Sequence, residues 1–268
     1  MNNISRQGYI GIFMGVLAGT FTATLLRLAQ TNGMPSIGIA AGRLLIASLV
    51  LLPFAVARAR ADVRALARRD WLLIGGAGVL MAAHFATFIS ALEYSSILQT
   101  LVFSATTPFF AAFIIWFTLG DRPPVGVWIG IVLALVGTLV VAVGSGEGAA
   151  PPTRNAPLLG GTLAFGAALF ISIYFAIGQQ VRDKLDAVTY STMVFGAAGV
   201  WLTLAMAVFG ISFFGYPPRA YLWTLVVAFV GQLIGHGGWN LALGGFSATI
   251  VSLGLLLVPV TATVFAVV

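Results

Sequence analysis

The chain has 268 residues, of which 60% are hydrophobic and 7% charged, with a formal net charge of +6, whereas a soluble domain carries about 25% charged residues. So few charges cannot solvate a protein surface, so lipid is the solvent for most of the molecule, and long apolar runs favour helices over a transmembrane barrel. The basic residues cluster in short breaks between those runs, where they report topology and not a nucleic-acid partner, and the absence of cysteine excludes disulfides, thiolate nucleophiles and Cys-ligated metals.

A span takes about 20 apolar residues, which predicts an all-α polytopic protein with helices at 7–28, 36–57, 71–92, 96–118, 125–144, 157–178, 188–210, 220–243 and 247–268. The first follows a start containing Arg6, lacks a small-residue cleavage site and reads as an uncleaved helix. Gly11, Gly15 and Gly19 in it form a double GxxxG. Gly38/Gly42, Gly126/Gly130 and Gly231/Gly235 repeat the motif in the second, fifth and eighth helices. Bare backbone of this kind serves close helix packing.

Arg43 lies inside the second helix. It is a partner for a solute carboxylate or for carbonyls at a broken helix, or it snorkels to the rim. The loop at 58–70 holds Arg58, Arg60, Arg64, Arg68 and Arg69 against Asp62 and Asp70. Placing it in the cytoplasm puts Arg6, Arg122, Arg182 and Lys184 on the same side, so the N-terminus is inside. Arg27 and Glu93 fall near the outer rim and read as solvated anchors; every other Asp and Glu reads as a loop residue.

His84 in the third helix and His236 in the eighth sit near mid-depth at roughly 1.5 Å per residue. They face a central cavity or hydrogen-bond between helices. Phe88 lies four residues after His84, and His236, Trp239, Asn240 and Leu243 share one face. In the fourth helix, SALEYSSILQTLVFSATTPFFA, the residues Gln99, Phe103, Thr106 and Phe110 form a stripe, and Pro108 interrupts the hydrogen-bond ladder. Tyr174 and Tyr190 add polar aromatics in the sixth and seventh helices, and the ninth carries Pro259.

Pro108 and Pro259 are 259 − 108 = 151 apart, and at that offset Phe88 meets Trp239, Ala91 meets Ala242 and Gly15 meets Gly166. The element boundaries follow the same offset without gaps. The reading is two five-helix repeats, 1–146 and 157–268, joined by an outer loop at 147–156. An odd number of crossings inverts the second. By the same arithmetic the second repeat stops before its equivalent of 125–144, so nine helices of a ten-helix plan are present. The two prolines are hinges of a gate or static kinks.

The stretch ALEYSSILQTLVFSATTPFFAAFIIWFTLGDRPPVGVWIGIVLALVGTLVVA resembles the EamA-type members of the drug/metabolite transporter superfamily. The proline-bearing fourth helix, the turn at Gly120 to Pro123, Gly130 with Gly137, and Arg43 carry the likeness, which extends over nearly the whole chain. It implies ten helices in two inverted repeats with both ends cytoplasmic. Within that superfamily the chain is most similar to the YddG-type exporters, which implies export of aromatic and other neutral amino acids.

The candidate substrate-binding residues are therefore His84, Phe88, Gln99, Phe103, Tyr174, His236, Trp239 and Asn240, with Arg43 as the carboxylate or structural partner. An apolar, aromatic lining with few polar groups suits a small amphipathic solute such as a neutral amino acid. No buried carboxylate is available for proton exchange, so facilitated diffusion is the simpler mechanism, although histidine titrates near neutrality. Other small metabolites or drugs, with proton coupling through His84 and His236, are the alternative. Two histidines without a thiol or carboxylate make a poor metal site, and no cofactor motif or Ser/His/Asp arrangement occurs. A monomer in an inner membrane, with lipid and solute as its partners, meets these requirements. An intramembrane enzyme built on the two histidines is the rival of a different class.

Overall fold

In a computed structural model, residues 3–58, 60–120, 122–144 and 152–266 are described. All regular structure among them is helical: α1 Asn3–Thr31, α2 Ser36–Arg58, α3 Arg60–Arg64, α4 Arg68–Tyr94, α5 Ile97–Ser104, α6 Thr107–Leu119, α7 Val125–Gly144, α8 Pro157–Val181, α9 Ala187–Val208 and α10 Pro218–Val227 come first. A π-helical segment, Ala228–His236, follows, then α11 Gly237–Ala242, α12 Ala248–Gly254 and α13 Leu257–Ala266. Seven helical stretches are long and apolar enough to cross a membrane, and Val125–Gly137 and Ala248–Ala262 are shorter apolar stretches. These fall at the nine predicted places, with α3 an addition within the arginine-rich loop. Of the expected linker, residues 147–151 lie outside the described residues.

The fourth and ninth predicted helices are not continuous. α5 ends at Ser104 and α6 begins at Thr107, while α12 ends at Gly254 and α13 begins at Leu257. The prolines explain both breaks. Pro108 has no N–H for the Ser104 carbonyl, and the Thr107 hydroxyl donates to that oxygen instead, at 2.6 Å. Pro259 likewise leaves the Leu255 carbonyl, which takes the Val258 N–H at 3.1 Å. Each pair also opens alike. The Ser96 hydroxyl caps α5 by accepting from the Gln99 N–H, and the Ser247 hydroxyl caps α12 by accepting from the Ile250 N–H.

Packing fixes the direction of each helix. Gln30 Nε2 donates to the Ile89 carbonyl at 2.7 Å, so the ends of α1 and α4 lie together. Asp70 at the start of α4 pairs with Lys184 beyond the end of α8 at 2.7 Å. A Cβ on Gly160, at the start of α8, would lie 2.6 Å from the Ser95 side chain. α4 and α8 are therefore antiparallel, and α1 and α8 run in opposite directions. The most extensive contacts join α4 to α8 and α2 to α9, and α1 packs on α10, the π segment and α11. At the arginine-rich end of the bundle α12 packs on α6 more extensively than α13 packs on α5 at the opposite end.

The glycine stripe of α1 serves this packing. A Cβ on Gly11 would meet the Gly238 carbonyl oxygen at 2.5 Å, and one on Gly15 would meet the Trp239 indole at 2.5 Å. Gly126 and Gly130 of α7 face nothing within 4 Å, so that motif is not a packing seam within the described residues. Two polar residues also differ from expectation. Arg27 is buried and donates to the Ser95 carbonyl at 2.9 Å, so it is no solvated anchor. Asp70 lies in the first turn of α4 and not in a loop.

The repeat offset is not constant. Residues 62–83 and 212–233 match in burial at every position at an offset of 212 − 62 = 150, and from His84 onward the offset is 151. The added residue falls in the π segment, at exposed Ile234. A π segment is how a helix absorbs one extra residue without losing register on either side.

Candidate functional site

α1, α2, α4, α8, the π segment and the two broken helices enclose a cavity of about 100 Å³, on a scale where one water needs about 10–15 Å³. Ser104, Ala105 and Thr107 from one break, and Leu255, Val258 and Pro259 from the other, contribute to its wall. The breaks thus lie at the cavity.

Arg43, His84, Phe88, His236 and Trp239 all border this cavity. His84 stacks on Phe88 with centroids 5.7 Å apart, and the two histidine rings are 6.0 Å apart. His84 Nδ1 lies 2.9 Å from the Ala167 carbonyl. A carbonyl only accepts, so Nδ1 carries the proton and Nε2 is the free acceptor. His236 Nδ1 is buried without a hydrogen-bond partner. Trp239 fits against the bare backbone of Gly15 and Gly254.

Arg43 is fully buried, and its Nε, Nη1 and Nη2 have no hydrogen-bond partner. Its Cζ lies 4.3 Å over the Phe85 ring, a cation–π contact. Burial of this kind excludes the snorkelling alternative. Among the described residues, no Asp or Glu borders the cavity.

The other sequence candidates lie elsewhere. Gln99 Nε2 donates to the Pro157 carbonyl at 3.0 Å. Phe103 lies over Gly161, and together they line a separate groove between α5 and α8. The stripe Gln99–Phe103–Thr106–Phe110 assumed one unbroken helix; the turn at Ala105–Thr106 instead brings Thr107 to the cavity, while Phe110 packs edge-on to Phe165 at 5.0 Å. Tyr174 donates its hydroxyl to Asn240 Oδ1, and Asn240 Nδ2 donates to Ser191 Oγ at 2.8 Å. These fully buried groups form a polar plug between the cavity and the arginine-rich end. Below the plug Arg182 donates Nε to the Asn240 carbonyl at 2.9 Å, and burial holds its guanidinium below the ordinary arginine range. Pro108 stands at the first turn of α6, outside the lining, whereas Pro259 is within it.

Sequence reasoning missed Phe85, Thr22 and Gly231 in the wall. Phe85 was detectable as the neighbour of His84, but Thr22 and Gly231 look like ordinary packing residues until α1 and the π segment are brought together.

These features define a class: a multi-pass helical membrane protein with a small central cavity bordered by two broken helices. The chain belongs to the EamA-like transporter family, whose model matches residues 6–143 and 158–268. It is therefore a membrane transporter of the drug/metabolite type. A solved structure described only as "Crystal structure of protein" is similar in fold, with a TM-score of 0.74 and 19% identity over 98% of this chain and 88% of that one. No curated protein matches the sequence.

Proposed function

We propose that the protein exports small neutral or aromatic amino acids, or related metabolites, by alternating access and without a coupling ion. The observation that carries this reading is Arg43: a buried, unpartnered guanidinium among Phe85, Phe88 and Trp239 matches a solute with a carboxylate and an apolar body. Arg43, His84, Phe88, His236 and Trp239 bind the solute. Tyr174 and Asn240 close the way to the arginine-rich end, and Gln99 and Phe103 hold α5 against α8.

The protein sits in the inner membrane with its arginine-rich end cytoplasmic, as the excess of arginine favours. Residues 1–146 and 157–268 act as two inverted repeats. The antiparallel course of α1 and α8, and the matched breaks at Pro108 and Pro259, support this. Those breaks are the hinges: α5 and α13 form one gate, α6 and α12 the other. The closer packing of α6 on α12 fits a state closed toward the cytoplasm.

Flux into or out of proteoliposomes loaded with labelled amino acids tests the cargo. Protein-dependent flux is expected for a subset of the twenty, and no flux for any of them would exclude the substrate class. Uncoupled transport predicts that a pH gradient alone drives no accumulation; uphill uptake under that gradient would replace it with a proton-coupled cycle through His84 and His236.

A further inference from the structure

The charge in the cavity is one-sided. At the 151-residue offset Arg43 stands where the other half has Val194, and both are buried. Gly231 keeps the space beside the guanidinium open: a Cβ there would lie 3.0 Å from Arg43 Nη2 and 3.0 Å from Thr22 Oγ1. At the 150-residue offset that holds over 212–233, the counterpart of Gly231 is Met81, fully buried. Arg43 of the first half and Gly231 of the second thus bring a charge and a gap together, whereas their counterparts, Val194 and Met81, are two buried apolar side chains.

The remaining polar groups of the wall, the His84 and His236 ring nitrogens included, carry no negative charge to balance a second, positive one. The hydroxyls of Thr22, Ser104 and Thr107 donate to the carbonyls of Ala18, Thr100 and Ser104 at 2.7, 2.9 and 2.6 Å. They bring lone pairs but no negative charge, and among the described residues no Asp or Glu borders the cavity. Moving a zwitterion from water into this space strips two charges, and only the carboxylate meets an opposite charge. A monocarboxylate strips one, and its arrival also neutralises the uncompensated guanidinium, whose planar fork suits two carboxylate oxygens.

We infer that the cavity is a monocarboxylate site: Arg43 recognises the carboxylate of an aromatic or similarly apolar acid, and the amino group is dispensable. This rests on the transport reading above and narrows its cargo. A uniporter that carries such an acid moves one negative charge per cycle, so its flux follows the membrane potential.

The test is proteoliposome transport by the intact chain with three probes: phenylalanine, 3-phenylpropionate, which lacks the amino group, and 2-phenylethylamine, which lacks the carboxylate. Labelled 3-phenylpropionate should cross in a protein-dependent way and should inhibit phenylalanine flux at least as strongly as unlabelled phenylalanine, while the amine should not inhibit. A clamped potential, positive inside, should accumulate the acid roughly tenfold per 59 mV. Arg43→Gln should abolish the acid's flux, with thermal unfolding confirming a folded variant; the probe series on the unaltered protein decides the matter if that variant does not fold. Phenylalanine flux with no inhibition or flux by the acid overturns the inference and leaves amino-acid export standing. Flux of the acid with no flux of any amino acid keeps the inference and removes the amino-acid cargo. Inhibition by the amine overturns recognition through the carboxylate.

Discussion

α4 and the composite of α10, the π segment and α11 occupy corresponding places in the two halves, yet they are built differently. α4 is one regular helix of 27 residues. The stretch that corresponds to it, 218–245, holds one residue more, absorbed between Ala228 and His236. Up to residue 83 the two agree in burial at an offset of 150; afterwards His84 corresponds to Gly235 and Phe85 to His236. The extra residue therefore exchanges a histidine for a glycine at one place and an aromatic for a histidine at the next. Both histidines reach the same cavity from non-equivalent positions. One has its Nδ1 hydrogen-bonded to the Ala167 carbonyl, and the Nδ1 of the other has no hydrogen-bond partner. A helix made irregular where it borders the cavity gives up regular backbone bonding for an asymmetric wall.

The comparison breaks most severely at Gly238, whose counterpart at the 151-residue offset is Thr87. Thr87 fits in α4, donating its hydroxyl to the Ala83 carbonyl at 2.7 Å. A Cβ on Gly238 would lie 2.8 Å from the Gly11 oxygen and 2.9 Å from the Gly15 nitrogen, both backbone atoms. Gly238→Thr should cost about 3 kcal/mol or more, since backbone cannot step aside as a side chain can, and should yield little folded protein in detergent. Thr87→Gly should cost about 1 kcal/mol or less. Equal losses of thermal stability for the two variants would contradict the closer approach of α1 to α11.

Next in size is deletion of Ile234, which restores to the second half the register of α4. Ile234 is 42% exposed, so no core side chain is lost, and the helix can bond regularly throughout. The variant should fold with unchanged or higher thermal stability, while solute flux falls by more than about tenfold, equivalent to about 1.4 kcal/mol. Unaltered flux would make the π segment a tolerated irregularity.

The sequence carried the long spans, the prolines and the two mid-depth histidines plainly, because apolar length and helix-breaking residues are local properties. It did not carry the π segment. One inserted residue amid Gly231, Gly235, Gly237 and Gly238 looks like any small-residue helix, and a constant offset of 151 read from pairs on both sides of it hides it. The stripe through Gln99, Phe103 and Thr106 failed for a related reason: helical periodicity does not continue through the turn at Ala105. Tyr174 and Asn240 lie on the right helices, but whether they face the cavity or plug one end of it depends on which helices are neighbours, and that is a tertiary fact.

A smaller effect separates the two histidines themselves. His84→Phe removes the side-chain hydrogen bond to the buried Ala167 carbonyl, which keeps its helical partner, a loss of about 0.5–1.5 kcal/mol. His236→Phe copies the residue found at the corresponding place in α4, removes a ring nitrogen that has no hydrogen-bond partner and keeps an aromatic ring against Phe85, so it strands no buried polar group and should cost less than His84→Phe. Thermal unfolding of the two variants in one detergent measures the difference, and the reverse order would mean that His236 carries the structural bond.

The smallest effect belongs to the start of the same two helices. Asp70 accepts from Lys184 Nζ at 2.7 and 2.9 Å and from the Ala67 N–H at 3.0 Å; its counterpart at the 150-residue offset is Ala220, which offers no such anchor. α4 is thereby fastened to the connection after α8 at the arginine-rich end, whereas α10 has no equivalent fastening at the other end. Lys184 is 53% exposed, so the pair contributes only about 0.2–1 kcal/mol, and added salt weakens it further. Asp70→Ala, which makes the two helix starts alike, should lower thermal stability by that amount in dilute buffer and by less at about 1 M salt, where the screening length shrinks to about 3 Å. A loss that salt does not diminish would trace the effect to the Ala67 N–H and not to the ion pair, and would leave the two ends of the molecule distinguished by capping alone.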